Sequence, residues 1–187
     1  MTASLNLAGQ FLIAMPGLTD PHFHQTVTLV CEHSDQGALG IVINRMADLN
    51  LAELAGHVGL VVDDAALGQR EVCTGGPVRP EACVILHRPH GQWNSTLAIP
   101  GGFALTGSMD VLEAIVAGRG PDDYLICLGY AGWGAGQLDS EMKENAWLTA
   151  PAQADVVFRT PREQRWRAAA AAIGVDIALL SPQAGRA

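Results

Sequence analysis

From Tyr124 onward the chain reads Tyr-Leu-Ile-Cys-Leu-Gly-Tyr-Ala-Gly-Trp-Gly-Ala-Gly-Gln, ending at Gln137. Residues 124–129 are nearly all apolar, the pattern of a central strand buried on both faces. That segment sets the middle of the fold. The glycines that follow, Gly129, Gly132, Gly134 and Gly136, read as a loop delivering the chain into a helix that starts near Gln137.

Around this centre the elements are short and mixed. Residues 10–15, 24–32 and 38–43 read as strands, the last two joined through His33-Ser34-Asp35-Gln36-Gly37 as a hairpin. Asn50 with Glu53 forms a capping-box pattern ahead of Leu51, Leu54, Ala55 and Val58, which share one helical face. Residues 61–70 read as irregular surface. Further strands are expected at 82–87, 96–99 and 103–105. A helix capped by Thr106 or Ser108 then buries Val111, Leu112, Ile115 and Val116. Beyond the glycine loop come a helix over 137–145 and strands at 146–149 and 156–158. A final helix opens near Pro161, buries Trp166, Ala169, Ala170 and Ile173, and stops at Gly174. Strands outnumber helices and few units have crossover length. The class is therefore α+β, with a mixed or mainly antiparallel sheet that can curl. At 187 residues, 49% of them hydrophobic, the chain fits one domain over 1–187 with a sizeable core, and disorder is excluded.

Charge narrows the partners. The 19 acidic residues outnumber the 11 basic ones, giving a net charge of −8. Such a body repels polyanions unless its cations cluster. Only Arg159, Arg162, Arg165 and Arg167 cluster. Arg162 and Arg165 share a side that reads most simply as a solvated helix face, with phosphate binding as the sharper alternative. Direct DNA binding is not expected. The cysteines Cys31, Cys73, Cys83 and Cys127 contain no C-x-x-C pair and lie in apolar runs, where thiols pack as small hydrophobes. The apolar run 11–15 has no Lys or Arg before it and meets Pro16, so no signal peptide is expected. No stretch of about 18 apolar residues occurs, so no membrane span is expected either. These features describe a reduced, cytoplasmic protein.

Candidate chemistry is sparse. The glycine loop with Trp133 and Gln137 offers close backbone approach and helix N–H groups. Its spacing matches neither G-x-x-x-x-G-K-[ST] nor G-x-G-x-x-G, and it holds no cation. Gly75-Gly76-Pro77 is a second glycine site, read as a turn first and as ligand-facing backbone second. His22 and His24 share a strand face but lack a third ligand, so no metal and no cofactor are expected. His33 and His87 each end an apolar strand, a position where an imidazole can work beside a cleft. The candidate ligand-binding set is Asn44, Gly75, Gly76, His87, Gly132, Trp133, Gly134, Gly136 and Gln137, with a pocket joining Asn44, the glycine pair and the Trp133 loop as the arrangement required of it.

The same stretches resemble the YqgE/AlgH family of bacterial proteins. The resemblance rests on Gly9 through Pro16 with Asp20 and Phe23, His33 through Arg45, Gly75-Gly76-Pro77-Val78 and Leu86-His87. Most specific is Leu128 through Leu138, with Glu141, Asn145, Trp147 and Leu148; Trp166, Gly174, Leu180-Ser181, Gly185 and Ala187 complete it. Met46 departs from a proline that often follows the Asn-Arg pair. The resemblance implies a partly barrel-like sheet flanked by helices, in the bacterial cytosol. It also brings a transcriptional-regulator label, tied to alginate control, without a DNA-binding motif. Three functions follow as alternatives: a non-enzymatic module binding an unknown small ligand or protein partner, an indirectly acting regulator, or an enzyme using His33, His87 or Glu141.

Overall fold

Residues 5–180 are described by a computed structural model. The buried-and-exposed patterning sorts them into strands β1 (Gln10–Ala14), β2 (Val27–Ser34), β3 (Gly37–Val42) and β4 (Met46–Asn50), followed by helices α1 (Leu51–His57) and α2 (Ala65–Gly68). Next come β5 (Glu71–Thr74), β6 (Val78–His87), β7 (Thr96–Ile99), β8 (Phe103–Thr106) and α3 (Met109–Val116). The chain continues through β9 (Tyr124–Gly134), α4 (Gln137–Lys143), β10 (Trp147–Pro151), α5 (Ala154–Phe158) and α6 (Arg165–Ala171). Short 3-10 turns at Arg162–Gln164 and Ile177–Leu179 flank α6.

The strand order is β10-β1-β2-β3-β9-β6-β8-β7, every neighbour antiparallel, with β5 parallel to β9 and β4 beside β5. β9 is the spine. Its edge is shared by β5 at residues 126–128 and by β3 at residues 131–134, while β6 pairs along the other edge. The sheet curls so that β7 comes over β1 and β2. Leu97 and Ile99 of β7 pack in one cluster with Phe11 and Leu29, and a Cβ on Gly9 would lie 2.6 Å from the Pro100 carbonyl oxygen. The result is a curled, mainly antiparallel half-barrel in an α+β domain.

Period-two alternation loads both faces of the sheet. Phe11 and Ile13 of β1 enter the cluster that also holds Leu29, Leu86, Phe103 and Cys127, closed by Val157 of α5 and Trp166, Ala169 and Ala170 of α6. Leu12 and Ala14 point the other way, toward Val30, Trp133, Leu138 and Trp147. A third cluster joins Leu51 and Leu54 of α1 to Val111, Leu112 and Ile115 of α3 over Val72, Ile85 and Ile126. The capping box forms as the sequence predicts: the Asn50 side chain accepts from Glu53 N at 3.0 Å, and the Glu53 carboxylate accepts from Asn50 N at 2.9 Å.

Several expectations are corrected. The segment 129–134 is not a loop but the second half of β9, and only Ala135-Gly136 turns before α4. At Gly129 glycine is needed for close packing between backbones. A Cβ on Gly129 would sit 2.4 Å from Gly76 O, and one on Gly76 would sit 2.1 Å from the Tyr130 carbonyl carbon. Residues 156–158 are helical, because Val156 and Val157 bury against the core from α5 rather than extending a sheet edge. Residues 61–70 contain α2, capped by the Asp64 carboxylate. Val58 and Ile173 lie outside the apolar stripes predicted for them and are exposed. Ser181, Gly185 and Ala187 lie outside the described residues.

Candidate functional site

Three segments distant in sequence meet around a cavity of about 450 Å3 lined by His24, Gln25, Asn44, Arg45, Arg162, Glu163, Gln164, Trp166 and Arg167. Residues 24–25 end the β1–β2 connection, 44–45 join β3 to β4, and 162–167 are the 3-10 turn running into α6. Backbone and side-chain bonds fix each wall. The Asn44 carboxamide accepts from Val27 N at 2.9 Å and donates to Gln25 O at 2.8 Å. It thereby holds Gln25 at φ +54°, a left-handed conformation unusual for a residue with a side chain. Arg45 donates to His24 O, and its own carbonyl accepts from Thr74 N. His24 Nδ1 faces Leu18 O at 3.0 Å; a carbonyl only accepts, so Nδ1 carries the proton.

The third wall is anchored by Arg165, which is buried and not part of the lining. The expectation that Arg162 and Arg165 share a solvated face is overturned for Arg165, which is 7% exposed. Its guanidinium donates to Thr160 O at 3.0 Å and to Ile43 O, tying α6 to the end of β3. Burial pulls its pKa down from the ordinary arginine value, opposed by the nearby thiols of Cys73 and Cys127. Trp166 beside it donates its indole N–H to Ala14 O at 2.9 Å, tying the same helix to β1. Arg162 reaches Glu71 across a looser contact of 3.4 Å.

The remaining predicted residues lie elsewhere. Gly75 N donates to Leu128 O and Gly75 O accepts from Val42 N, so the glycine pair is stitched between β3 and β9. Trp133 borders a second, shallower hollow of about 260 Å3 with Glu32, Ser34, Gln36, Gly37, Ala38 and Leu39. Asn44 and Trp133 therefore border separate hollows, and Gly75 and Gly76 line neither. Around Trp133 the polar groups are paired internally. Glu141 Oε2 accepts from both indoles, Trp133 at 3.0 Å and Trp147 at 2.8 Å, while Oε1 accepts from Gln137 Nε2 at 3.1 Å. Gln137 Oε1 accepts from Gly134 N at 3.0 Å. Gly136 takes φ +72° at the start of α4, and a Cβ on Gly132 would make only ordinary contact with Val78.

The acid–base candidates are likewise engaged. His87 is buried; its Nδ1 donates to Arg88 O at 2.7 Å, which leaves Nε2 to accept from the Thr106 hydroxyl at 2.7 Å. Thr106 in turn accepts from Thr96 at 2.9 Å. Desolvation draws the His87 pKa below its ordinary value, with the Arg88 carbonyl opposing and His90 adding to the fall. His33 Nδ1 accepts from Leu7 N at 3.2 Å, and Nε2 lies 3.9 Å from Asp139. His87 pairs with Tyr124 at the start of β9, while His33 and Ala38 adjoin Trp133 near its end. Nine strand residues separate those points, roughly 30 Å, so His87 joins neither His33 nor Glu141 in one site. No group of three metal-ligating side chains occurs among the described residues, and no helix among them is long and apolar enough to cross a membrane.

The comparisons with known proteins agree on a lineage. A family model described as AlgH-like matches residues 11–178. A UPF0301 protein of Thioalkalivibrio sulfidiphilus is 51% identical over 187 residues, covering 100% of both chains. One from Methylococcus capsulatus is 53% identical over 179 residues, 96% of this chain and 95% of its own. The solution structure of the AlgH protein from Pseudomonas aeruginosa superposes with a TM-score of 0.81 at 46% identity, covering 100% of this chain and 99% of that one. A crystal structure from Corynebacterium diphtheriae shares the fold at 20% identity, with a TM-score of 0.70 over 91% of this chain and 88% of that one.

Proposed function

This chain belongs to the AlgH-like family, and on that footing we propose that it is a non-enzymatic binding module of the bacterial cytosol, one unit over residues 1–187. Its ligand site is the cavity beside Asn44. The observation that carries this reading is the convergence of three separate segments on one concave surface of about 450 Å3, within the range of small-molecule pockets. The left-handed backbone at Gln25, held by Asn44, supports it, because such strain persists where the surroundings enforce it and clusters at binding sites. His33, His87 and Glu141 serve the fold in this reading. Regulation, where it occurs, passes through a bound ligand or protein, since 19 acids against 11 bases oppose direct contact with DNA.

Chemical-shift mapping of the full chain against a panel of nucleotides, phosphates and neutral metabolites tests the proposal. Binders are expected to move resonances of His24, Arg45 and Trp166 while leaving the Trp133 indole in place. Shifts centred on Trp133, Gly134 and Gln137 would move the site to the hairpin hollow. A panel with no binder at either place, or tight salt-sensitive binding of duplex DNA, would overturn the reading.

A further inference from the structure

The cavity's walls carry a charge opposite to that of the molecule. In a chain of net charge −8, Arg45, Arg162 and Arg167 line one hollow, with buried Arg165 between Arg162 and Arg167 in sequence. The acids at the same place are Glu163 on the lining and Glu71 against Arg162. Among the described residues no carboxylate lies within ion-pairing distance of Arg45, Arg165 or Arg167. Three guanidiniums thus line the concave space against the single carboxylate of Glu163, and low-dielectric walls strengthen their field.

Donor inventory sharpens the point. A guanidinium presents five N–H donors. Arg45 directs one group to His24 O, Arg162 directs Nε and one terminal nitrogen to Glu71, and Arg167 makes no hydrogen bond within the described residues. The unused donors come from two different segments, so a group with several acceptor oxygens is needed to engage them together. A phosphate dianion has three such oxygens and matches the planar fork of arginine.

We propose that this cavity is a binding site for a small phosphorylated metabolite, the phosphate held by Arg45 and Arg167 with Arg162 completing the cradle. The assignment rests on the binding reading above and gives its ligand a chemical class. The phosphate occupies only part of a space of about 450 Å3; the ligand's organic portion lies against Gln25, Gln164 and the edge of Trp166. The acidic exterior keeps long polyanions away, which selects for a small ligand over a nucleic acid.

The test is calorimetric titration of the full chain at low salt with inorganic phosphate, pyrophosphate, AMP, adenosine and citrate, with chemical-shift mapping in parallel. The phosphate-bearing probes are expected to bind with AMP above inorganic phosphate, to weaken as salt rises, and to shift Arg45 and Arg167. Adenosine and citrate are expected to stay below them. Arg167→Gln, at an exposed position that makes no hydrogen bond or ion pair among the described residues, is expected to weaken AMP roughly ten- to hundredfold. Arg45→Gln does the same where its loss of the His24 contact leaves the fold intact by circular dichroism. Arg119→Gln, an exposed arginine distant in sequence, leaves affinity unchanged. Phosphate binding that ignores Arg167→Gln would overturn the proposal, as would citrate binding above AMP. Adenosine shifting the cavity while no phosphate does so would sink the phosphate assignment and leave the binding module standing. Silence at His24, Arg45 and Trp166 with every probe would sink both.

Discussion

Replacing Glu141 by leucine isolates one carboxylate whose work is visible atom by atom. Oε2 is the shared acceptor of the Trp133 and Trp147 indoles, rings that are 6% and 4% exposed and cluster with Phe23 at centroid separations of 5.6–6.3 Å. Leucine keeps the volume and the helix propensity of α4, so the change registers lost hydrogen bonds. Two buried N–H donors without partners cost about 1–3 kcal/mol each, for a loss near 4 kcal/mol. In a chain of this length that lowers Tm by roughly 8–16 °C. Glu141→Gln is milder for a specific reason. With its amide oxygen at the Oε2 position both indoles stay satisfied, but its NH2 then meets the Gln137 NH2. Turning Gln137 over only moves the donor clash to Gly134 N. One mismatch remains, worth about 1–2 kcal/mol. Urea and thermal unfolding followed by tryptophan fluorescence read both values. A Glu141→Leu protein within about 1 kcal/mol of the parent, or a glutamine variant as damaged as the leucine one, would refute the shared-acceptor argument.

Other expectations follow from the same kind of accounting. His87 is held neutral, its pKa drawn below the ordinary 6.5, so the unfolded chain takes up a proton near that pH which the folded chain refuses. Its contribution is complete above about pH 6.5 and is lost as the pH falls below it; His87→Asn should flatten the urea midpoint between about pH 5 and 7, and an unchanged slope would count against the buried neutral imidazole. Gly76→Ala should prevent folding or cost more than about 3 kcal/mol, because a Cβ there would lie 2.1 Å from Tyr130 backbone. Gly136→Ala, at φ +72° with open space around it, should cost only about 1–2 kcal/mol; equal losses by calorimetry would undo the distinction. Burial pushes the Cys83 thiol up to about 11 and raises Cys31, while the hydrogen bond with Cys73, followed by burial, raises Cys127. Those three thiols should therefore resist iodoacetamide at neutral pH until urea is added, and rapid labelling in the native state would contradict their packing.

What could be read from residues alone was whatever is decided within a few positions. Asn50 and Glu53 announce their helix because both halves of the capping box lie inside one turn. Val111, Leu112 and Ile115 announce theirs by spacing, and the β2–β3 hairpin is written in its turn residues. Gly129 of β9 misled because its cause lies in another segment: it is glycine on account of Gly76. Gly37 of β3 is likewise constrained by a distant segment, the Trp133 carbonyl lying 2.2 Å from where its Cβ would be. A sequence window shows a glycine but not the backbone pressed against it. Val156 and Val157 misled similarly, since a β-branched pair fits a strand only where an open edge exists to receive it.

The arginine-lined cavity was hidden by a geometric ambiguity of another kind. Spacing says that Arg162 and Arg165 lie on related sides of a helical segment; it does not say which side meets the sheet. The sheet decides. Trp166 binds Ala14 O on β1 and Arg165 binds Ile43 O at the end of β3, so two adjacent side chains on the first turn of α6 both point inward. That anchoring leaves Arg162 and Arg167 on the cavity lining with Asn44 and Arg45. The inward turn of Arg165 and Trp166 thus holds two of the four clustered cations in a concave site. The charge of Arg165 has no carboxylate within ion-pairing distance among the described residues, and the carbonyls of Thr160 and Ile43 accept from its donors instead, which offsets part of the cost of burying it.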